Sequence, residues 1–142
     1  MANQADKSVA AKRLLIVEDE PTVRDALQRV LRVEGFEVRV ASNGREALEQ
    51  LHKEAIALIL LDINVADENG WELCRRMRAE KPDLRVIAMT ARPDQAAAAL
   101  AADADALMEK PLDLPVLLDT VRRLSAAPRR RPKEVVAGSR VP

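Results

Sequence analysis

Leu14-Leu15-Ile16-Val17-Glu18-Asp19-Glu20-Pro21 decides the architecture, because four apolar residues in a row end abruptly in three acids and a proline. A continuous apolar run this short reads as a strand covered on both faces, as in a parallel sheet. Pro21 suits the first position of a helix, where its missing N–H would have had no partner anyway. Val23, Ala26, Leu27, Val30 and Leu31 then recur at helical spacing until Gly35 ends the helix. Strand, acidic turn and helix form the opening unit. The rest of the chain repeats that order without repeating its sequence.

Phe36 to Val40 alternates apolar and charged residues, which predicts an edge strand with one covered face. Asn43 caps the next predicted helix, whose apolar face is Ala47, Leu48 and Leu51. Ala57 to Leu61 is a second strand buried on both faces, and Gly70 to Glu80 a third helix with Leu73 and Met77 inward. Leu84 to Met89 reads as the fourth strand, Pro93 to Ala102 as an alanine-dominated fourth helix, and Asp105 to Met108 as a short fifth strand. Leu114, Leu117, Leu118, Val121 and Leu124 give the fifth helix its face. Strand and helix alternate five times, which predicts an α/β fold: a five-stranded parallel sheet with helices on both faces, doubly wound.

Composition narrows the function classes. At 142 residues, with 48% apolar, the chain has the size of one domain and enough apolar matter for one core. Lys plus Arg equals Asp plus Glu at 23 each, against a strongly basic nucleic-acid binder. Phe36 and Trp71 are the whole aromatic supply, so stacking platforms for single-stranded nucleic acid are absent. The lone Cys74 suits a reducing compartment. No apolar run reaches the roughly 18 residues that span a bilayer, and residues 1–12 lack the apolar core of a secretion signal, so a cytoplasmic protein without membrane attachment is expected. The charge is unevenly spread: Ala126 to Pro142 carries Arg129, Arg130, Arg131, Lys133 and Arg140 against Glu134, a net +4 that leaves −4 on the remainder. The expected organisation is a disordered segment 1–12, a folded domain 13–126 and a disordered basic tail 127–142.

In parallel α/β sheets ligands bind beyond the carboxyl ends of the strands. Past the first strand come Glu18 and Asp19, past the third Asp62, past the fourth Thr90 and past the fifth Lys110. Only the predicted edge strand delivers no such group. Three carboxylates held together repel one another unless cations join them. Lys110 offsets one charge, and a hard divalent cation with oxygen ligands, Mg²⁺, suits the remainder. Positioning plus charge neutralisation is what phosphoryl transfer requires, and an aspartate can act as the nucleophile.

Four motifs, Leu15-Ile16-Val17-Glu18-Asp19-Glu20-Pro21, Leu60-Leu61-Asp62-Ile63 leading to Gly70-Trp71-Glu72-Leu73, Met89-Thr90-Ala91 and Glu109-Lys110-Pro111, together resemble response-regulator receiver domains over roughly Arg13 to Ser125. The resemblance implies the flavodoxin-like strand order 2-1-3-4-5. It implies that Asp62 accepts phosphate from a histidine kinase or histidine phosphotransfer protein. It also implies that Asp19 binds Mg²⁺ directly, that Glu18 holds a metal-bound water, and that the Asn64 backbone carbonyl completes the metal shell beside Asp62. Lys110 would pair with phosphoryl oxygens and the Thr90 hydroxyl would bond another. Output would be a protein contact on the face made by the fourth helix, fifth strand and fifth helix. On this reading the chain is a single-domain regulator with no DNA-binding domain, limited to self-phosphorylation and slow self-dephosphorylation rather than enzymatic turnover. A relay intermediate or a phosphate sink fits the same motifs.

The sequence also departs from the family pattern. Ala66 replaces a common proline four residues after the acceptor, and Asp67 and Glu68 add negative charge to that loop. Leu107 occupies the switch position, where the family often has Tyr or Phe, and Leu112 stands where phenylalanine often follows the lysine–proline pair. Two other classes therefore stay open: a phosphorylation-independent scaffold, and an aspartyl-phosphate phosphohydrolase. The second lacks an acid/base two residues after the nucleophile, where Asn64 stands. Bland readings cover the remaining residues: His52 in solvent, Cys74 as a small hydrophobe, Trp71 in packing, Ala96 to Ala99 as an exposed helix and the arginine tail as solvated.

Overall fold

A computed structural model describes residues 12–65, 69–92, 94, 98–99 and 102–126. Five strands, β1 (Arg13–Val17), β2 (Glu37–Ala41), β3 (Leu58–Asp62), β4 (Arg85–Thr90) and β5 (Ala106–Glu109), form one sheet in the order β2-β1-β3-β4-β5. Every pairing is parallel, with Ile16 beside Leu60, Leu60 beside Ile87 and Ile87 beside Ala106. The described helices of full length are α1 (Pro21–Val33), α2 (Gly44–Lys53), α3 (Gly70–Glu80) and α4 (Leu114–Ala126).

The two-residue repeat of a strand explains why β1, β3 and β4 are apolar throughout. Leu15, Val17, Ile59, Leu61, Val86, Ala88 and Leu107 face Ala47 and Leu51 of α2 and Leu73, Cys74 and Met77 of α3. Leu14, Ile16, Leu58, Leu60, Ile87, Met89 and Met108 face Leu27 and Leu31 of α1 and Leu117, Val121 and Leu124 of α4. The double cover predicted from the apolar runs is the observed one. Trp71 packs in the α2–α3 layer, and β2 is an edge strand whose outward Glu37 pairs with Arg13.

The structure corrects several boundaries and faces. Strands β2 to β5 each begin and end one residue later than their apolar runs, so Asp62 and Thr90 are the last ladder residues of β3 and β4. The main-chain ladder does not distinguish side chains, and it carries Asp62 beside Met89 and Thr90 beside Glu109. Ala26 is exposed, and Leu114 is 40% exposed in the first turn of α4. The predicted fourth helix falls mostly outside the described residues; Ala98 and Ala99 are helical. Segments 1–11 and 127–142 lie outside them too, so only Lys12 of the first predicted segment is described.

Helix starts are anchored by side chains. Asn43 Oδ1 accepts from the Glu46 N–H at 2.9 Å, and Glu46 Oε1 accepts from the Ser42 N–H at 2.8 Å. Asn69 Oδ1 accepts from the N–H groups of Trp71 and Glu72 at 3.1 and 3.2 Å. Gly35 closes α1 with φ +100°, a conformation that favours glycine.

Candidate functional site

The carboxyl ends of β1, β3, β4 and β5 deliver their polar residues to one edge of the sheet. Glu18 leaves β1 with its N–H donating to the Ala41 carbonyl of β2 at 3.0 Å, and its side chain is 1% exposed. Asp19, next in the chain, is exposed. Asp62 ends β3 with 6% exposure, and its Oδ1 accepts from the Asn64 N–H at 3.1 Å. Carboxylate oxygens of Glu18, Asp19 and Asp62 all lie within 4.8 Å of one another.

Lys110 closes the cluster. Its main-chain N–H donates to the Thr90 carbonyl at 2.7 Å, placing the β5 end against the β4 end. Its Nζ lies 3.3 Å from Glu18 Oε1 and 3.3 Å from Asp62 Oδ2, bridging the first and third strands. The Lys110–Pro111 peptide is cis. Thr90 is 1% exposed, and its Oγ1 accepts from the Arg92 N–H at 3.0 Å, which leaves the hydroxyl hydrogen for another acceptor.

The electrostatics are those of crowded carboxylates around one cation. Burial, followed by the charge of Asp62, raises the Glu18 pKa above its ordinary 4.5, and Lys110 acts against both. Burial opposes the charge on Lys110, but Asp62 and Glu18 together outweigh it and raise its pKa above 10.5. Three carboxylates against one ammonium leave the cluster short of positive charge. Its donors are all hard oxygens, two of them buried and one open to solvent, which fits a hard divalent cation with room for water or phosphoryl oxygens.

Glu18, Asp19, Asp62 and Lys110 are thus brought together, with Thr90 and Asn64 joined to them through single hydrogen bonds. Leu107 is not at the cluster: it sits in the α2–α3 layer, 2% exposed, beside Ala88 in the β4–β5 register. The loop positions Ala66, Asp67 and Glu68 lie outside the described residues.

Two features escaped the sequence reading. Arg24, on the first turns of α1, donates from Nη1 to the Glu18 main-chain carbonyl at 3.3 Å and to Ser42 Oγ at 2.9 Å. Gly70 at the start of α3 abuts β3's exit so closely that a Cβ there would lie 2.3 Å from the Ile63 carbonyl oxygen. Nothing in local periodicity marks Arg24, since it is one of several arginines on α1. Gly70 was visible as part of a motif but not as a close contact.

The profile of the response regulator receiver domain matches residues 14–122. This chain belongs to that family. Among sequence relatives, the receiver is 36% identical over 114 residues to the response regulator MprA of Mycolicibacterium vanbaalenii, a match covering 79% of this chain and 49% of that one. MprA of Mycobacterium leprae is also 36% identical, with 79% and 50% covered. The chain spans about half the length of these relatives. Among solved structures, a CheY-like receiver domain protein from Methanospirillum hungatei superposes with a TM-score of 0.77 at 30% identity, covering 82% of this chain and 94% of that one. The response regulator TrrA of Thermotoga maritima, solved in complex with Mg²⁺ and BeF, gives 0.73 at 33% identity over 80% and 98%. The receiver fold and its place in two-component regulation are thereby established, and among the described residues no helix is long and apolar enough to cross a membrane.

Proposed function

We propose that this receiver accepts a phosphoryl group on Asp62 from a histidine kinase or histidine phosphotransfer protein, and that it signals through protein contact. The observation that carries the reading is Lys110 Nζ held 3.3 Å from both Asp62 and Glu18, inside a three-carboxylate cluster. Asp62 attacks the phosphorus of a phosphohistidine; a P–O bond forms, the P–N bond breaks, and the imidazole leaves with a proton. Of the two Asp62 oxygens, Oδ1 is tied to the Asn64 N–H and Oδ2 to Lys110, so the carboxylate is oriented before the donor arrives. Lys110 then exchanges a carboxylate contact for a phosphoryl oxygen, and the Thr90 hydroxyl donates to a second.

Mg²⁺ suits the cluster: Asp19, Asp62 and the Asn64 main-chain carbonyl would hold it, with Glu18 acting through a water. When bound it neutralises charge that Lys110 alone leaves uncompensated. Hydrolysis of the aspartyl phosphate is slow in this reading because Asn64, two residues past the acceptor, offers no proton donor or base; the domain is a switch and not a turnover enzyme. Its output face is the β5 edge with α4 and the segment before β5, in the cytoplasm.

Half of each relative's length lies outside the match, and this favours a second reading in which the receiver works joined to an output segment rather than alone. The intact mass of the native gene product distinguishes the two. The chemical reading is tested by intact-mass spectra after incubation with acetyl phosphate, with and without Mg²⁺, beside Asp62→Asn. One adduct requiring both Mg²⁺ and Asp62 is expected. No adduct on the folded protein would overturn it in favour of a phosphorylation-independent scaffold.

A further inference from the structure

The acidic pair at the end of β1 presents a positioning problem. Glu18 is held on three sides, its N–H on Ala41, its Oε1 near Lys110, and its Oε2 accepting the Glu20 N–H at 3.3 Å. Asp19 is exposed, and its aim depends on the peptide that links it to Glu18. The carbonyl of that peptide is the one Arg24 grips.

We infer that Arg24 is a positioning residue for the cation site: its guanidinium ties the Glu18–Asp19 peptide to Ser42 and so sets where Asp19 presents its carboxylate. Three observations converge on this role. Arg24 is half-buried on α1, and its own N–H donates to the Glu20 carbonyl at 2.9 Å, so its base is anchored in the first helical turn. Its Nη1 spans two loops, the one after β1 through the Glu18 carbonyl and the one after β2 through Ser42 Oγ. Ser42 is itself fixed, since its N–H donates to Glu46 Oε1 within the cap of α2. A chain of rigid parts therefore runs from the α2 cap through Arg24 to the peptide between the two acids. Both bonds leave from the one nitrogen, Nη1, and a lysine's ammonium, carried on a stem one bond shorter, would stop short of the position between the two loops.

Both acceptors that Arg24 meets in this tether are neutral oxygens. The edge strand, which brings no charged group to the site, contributes through Ser42 instead.

The inference rests on the Mg²⁺ reading above, and its test measures metal binding by the unphosphorylated full chain. Mn²⁺ is titrated and followed by the electron paramagnetic resonance of the free ion, with Mg²⁺ as competitor, and urea denaturation is run in parallel. Arg24→Gln is expected to weaken Mg²⁺ binding about tenfold, as loss of a partner that orients a ligand does. Ser42→Ala leaves the charge in place but removes the anchor, and is expected to weaken binding by about threefold at an unchanged denaturation midpoint. The double variant should bind no more weakly than Arg24→Gln alone, because both changes cut one tether. Arg24→Lys should recover less than half of the loss. Affinities within about twofold of wild type in both single variants, or strictly additive losses, overturn the tether. Full recovery by Arg24→Lys also overturns it, leaving charge alone. If Arg24→Gln fails to fold, Ser42→Ala decides by itself. A wild-type chain that binds neither ion removes the Mg²⁺ reading together with this inference, whereas binding that ignores both residues removes only the inference.

Discussion

Replacing Asp105 tests the far end of the sheet from the carboxylate cluster, where β5 is bolted to its neighbours. Asp105 is 2% exposed; its Oδ2 accepts from Arg78 Nη2 at 2.6 Å and from the Val86 N–H at 2.8 Å, and its Oδ1 lies 3.2 Å from Arg85 Nη1. Arg85 is 3% exposed and Arg78 8%, so both guanidinium groups meet this carboxylate in a setting water barely reaches, and Arg78 also meets Asp103 Oδ2 at 3.0 Å. Arg78 Nε is already buried without a hydrogen-bond partner among the described residues. Removing one partner of a buried pair is destabilising by about 3–5 kcal/mol, because the remaining charge stays desolvated and uncompensated. A domain of this size is stable by about 5–15 kcal/mol in total, so Asp105→Ala should consume a large share. Its melting temperature should fall by roughly 10–20 °C. Urea denaturation followed by Trp71 fluorescence, with circular dichroism as a second probe, measures the loss. Replacing the whole group with apolar residues (Arg78→Met, Arg85→Met and Asp105→Leu together) should recover more than half, because no buried charge is then stranded. Asp103→Ala removes only a half-exposed partner of Arg78 and should change stability by less than about 1 kcal/mol. A loss under about 1 kcal/mol for Asp105→Ala, at unchanged denaturant slope, would refute the claim that this carboxylate neutralises the pair.

Gly70→Ala places a Cβ 2.3 Å from the Ile63 carbonyl oxygen, so the β3 exit must move; a loss of about 2 kcal/mol in urea and slower phosphorylation by acetyl phosphate are expected. Lys110→Ala leaves Glu18 and Asp62 facing each other without their shared cation, and the acetyl phosphate rate should drop about 10²-fold while circular dichroism stays native. Burial raises the Cys74 thiol to about 11 from 9.0, so between these values the unfolded chain loses this proton first and stability falls as pH rises. Denaturation at pH 8 and pH 11 should show a drop larger by roughly 2–3 kcal/mol in wild type than in Cys74→Ala, and a thiol reagent at pH 8 should label Cys74 only after unfolding.

What could be read from the sequence divides along a physical line. Strand order within the chain, the two-layer cover and the strand-end residues were legible because each depends on local periodicity plus one topological rule about where parallel strands point. Leu14 to Val17 and Leu58 to Leu61 are apolar on both faces only if helices cover both, and helices do. The one-residue offset of four strands went the other way: apolar side chains report burial, whereas the ladder is made by main-chain groups and continues through Asp62 and Thr90. Leu114 belongs to the helical stripe and still faces solvent at the helix start, and Ala26, one residue before buried Leu27, stands about 100° round the helix at the edge of its stripe.

Charged residues that support other groups rather than end a strand were the illegible part, and for a common reason. Arg78, Arg85 and Asp105 look in sequence like any surface charges, and only the assembled sheet shows that α3's end, β4's start and β5's start meet there. Arg24 is the same case at the opposite end of the strands. A strand-end acid announces itself because an apolar run has just stopped, but a helical arginine that reaches two loops leaves no trace in spacing. The consequence bears on how the site works. The residues that periodicity reveals end the strands at the carboxylate cluster, and the ones it hides brace the opposite end of the sheet or, like Arg24, reach across two loops. A receiver with the visible set intact and the hidden set altered would keep its motif and lose its geometry, so motif completeness alone does not establish that Asp19 and Asp62 present a cation site.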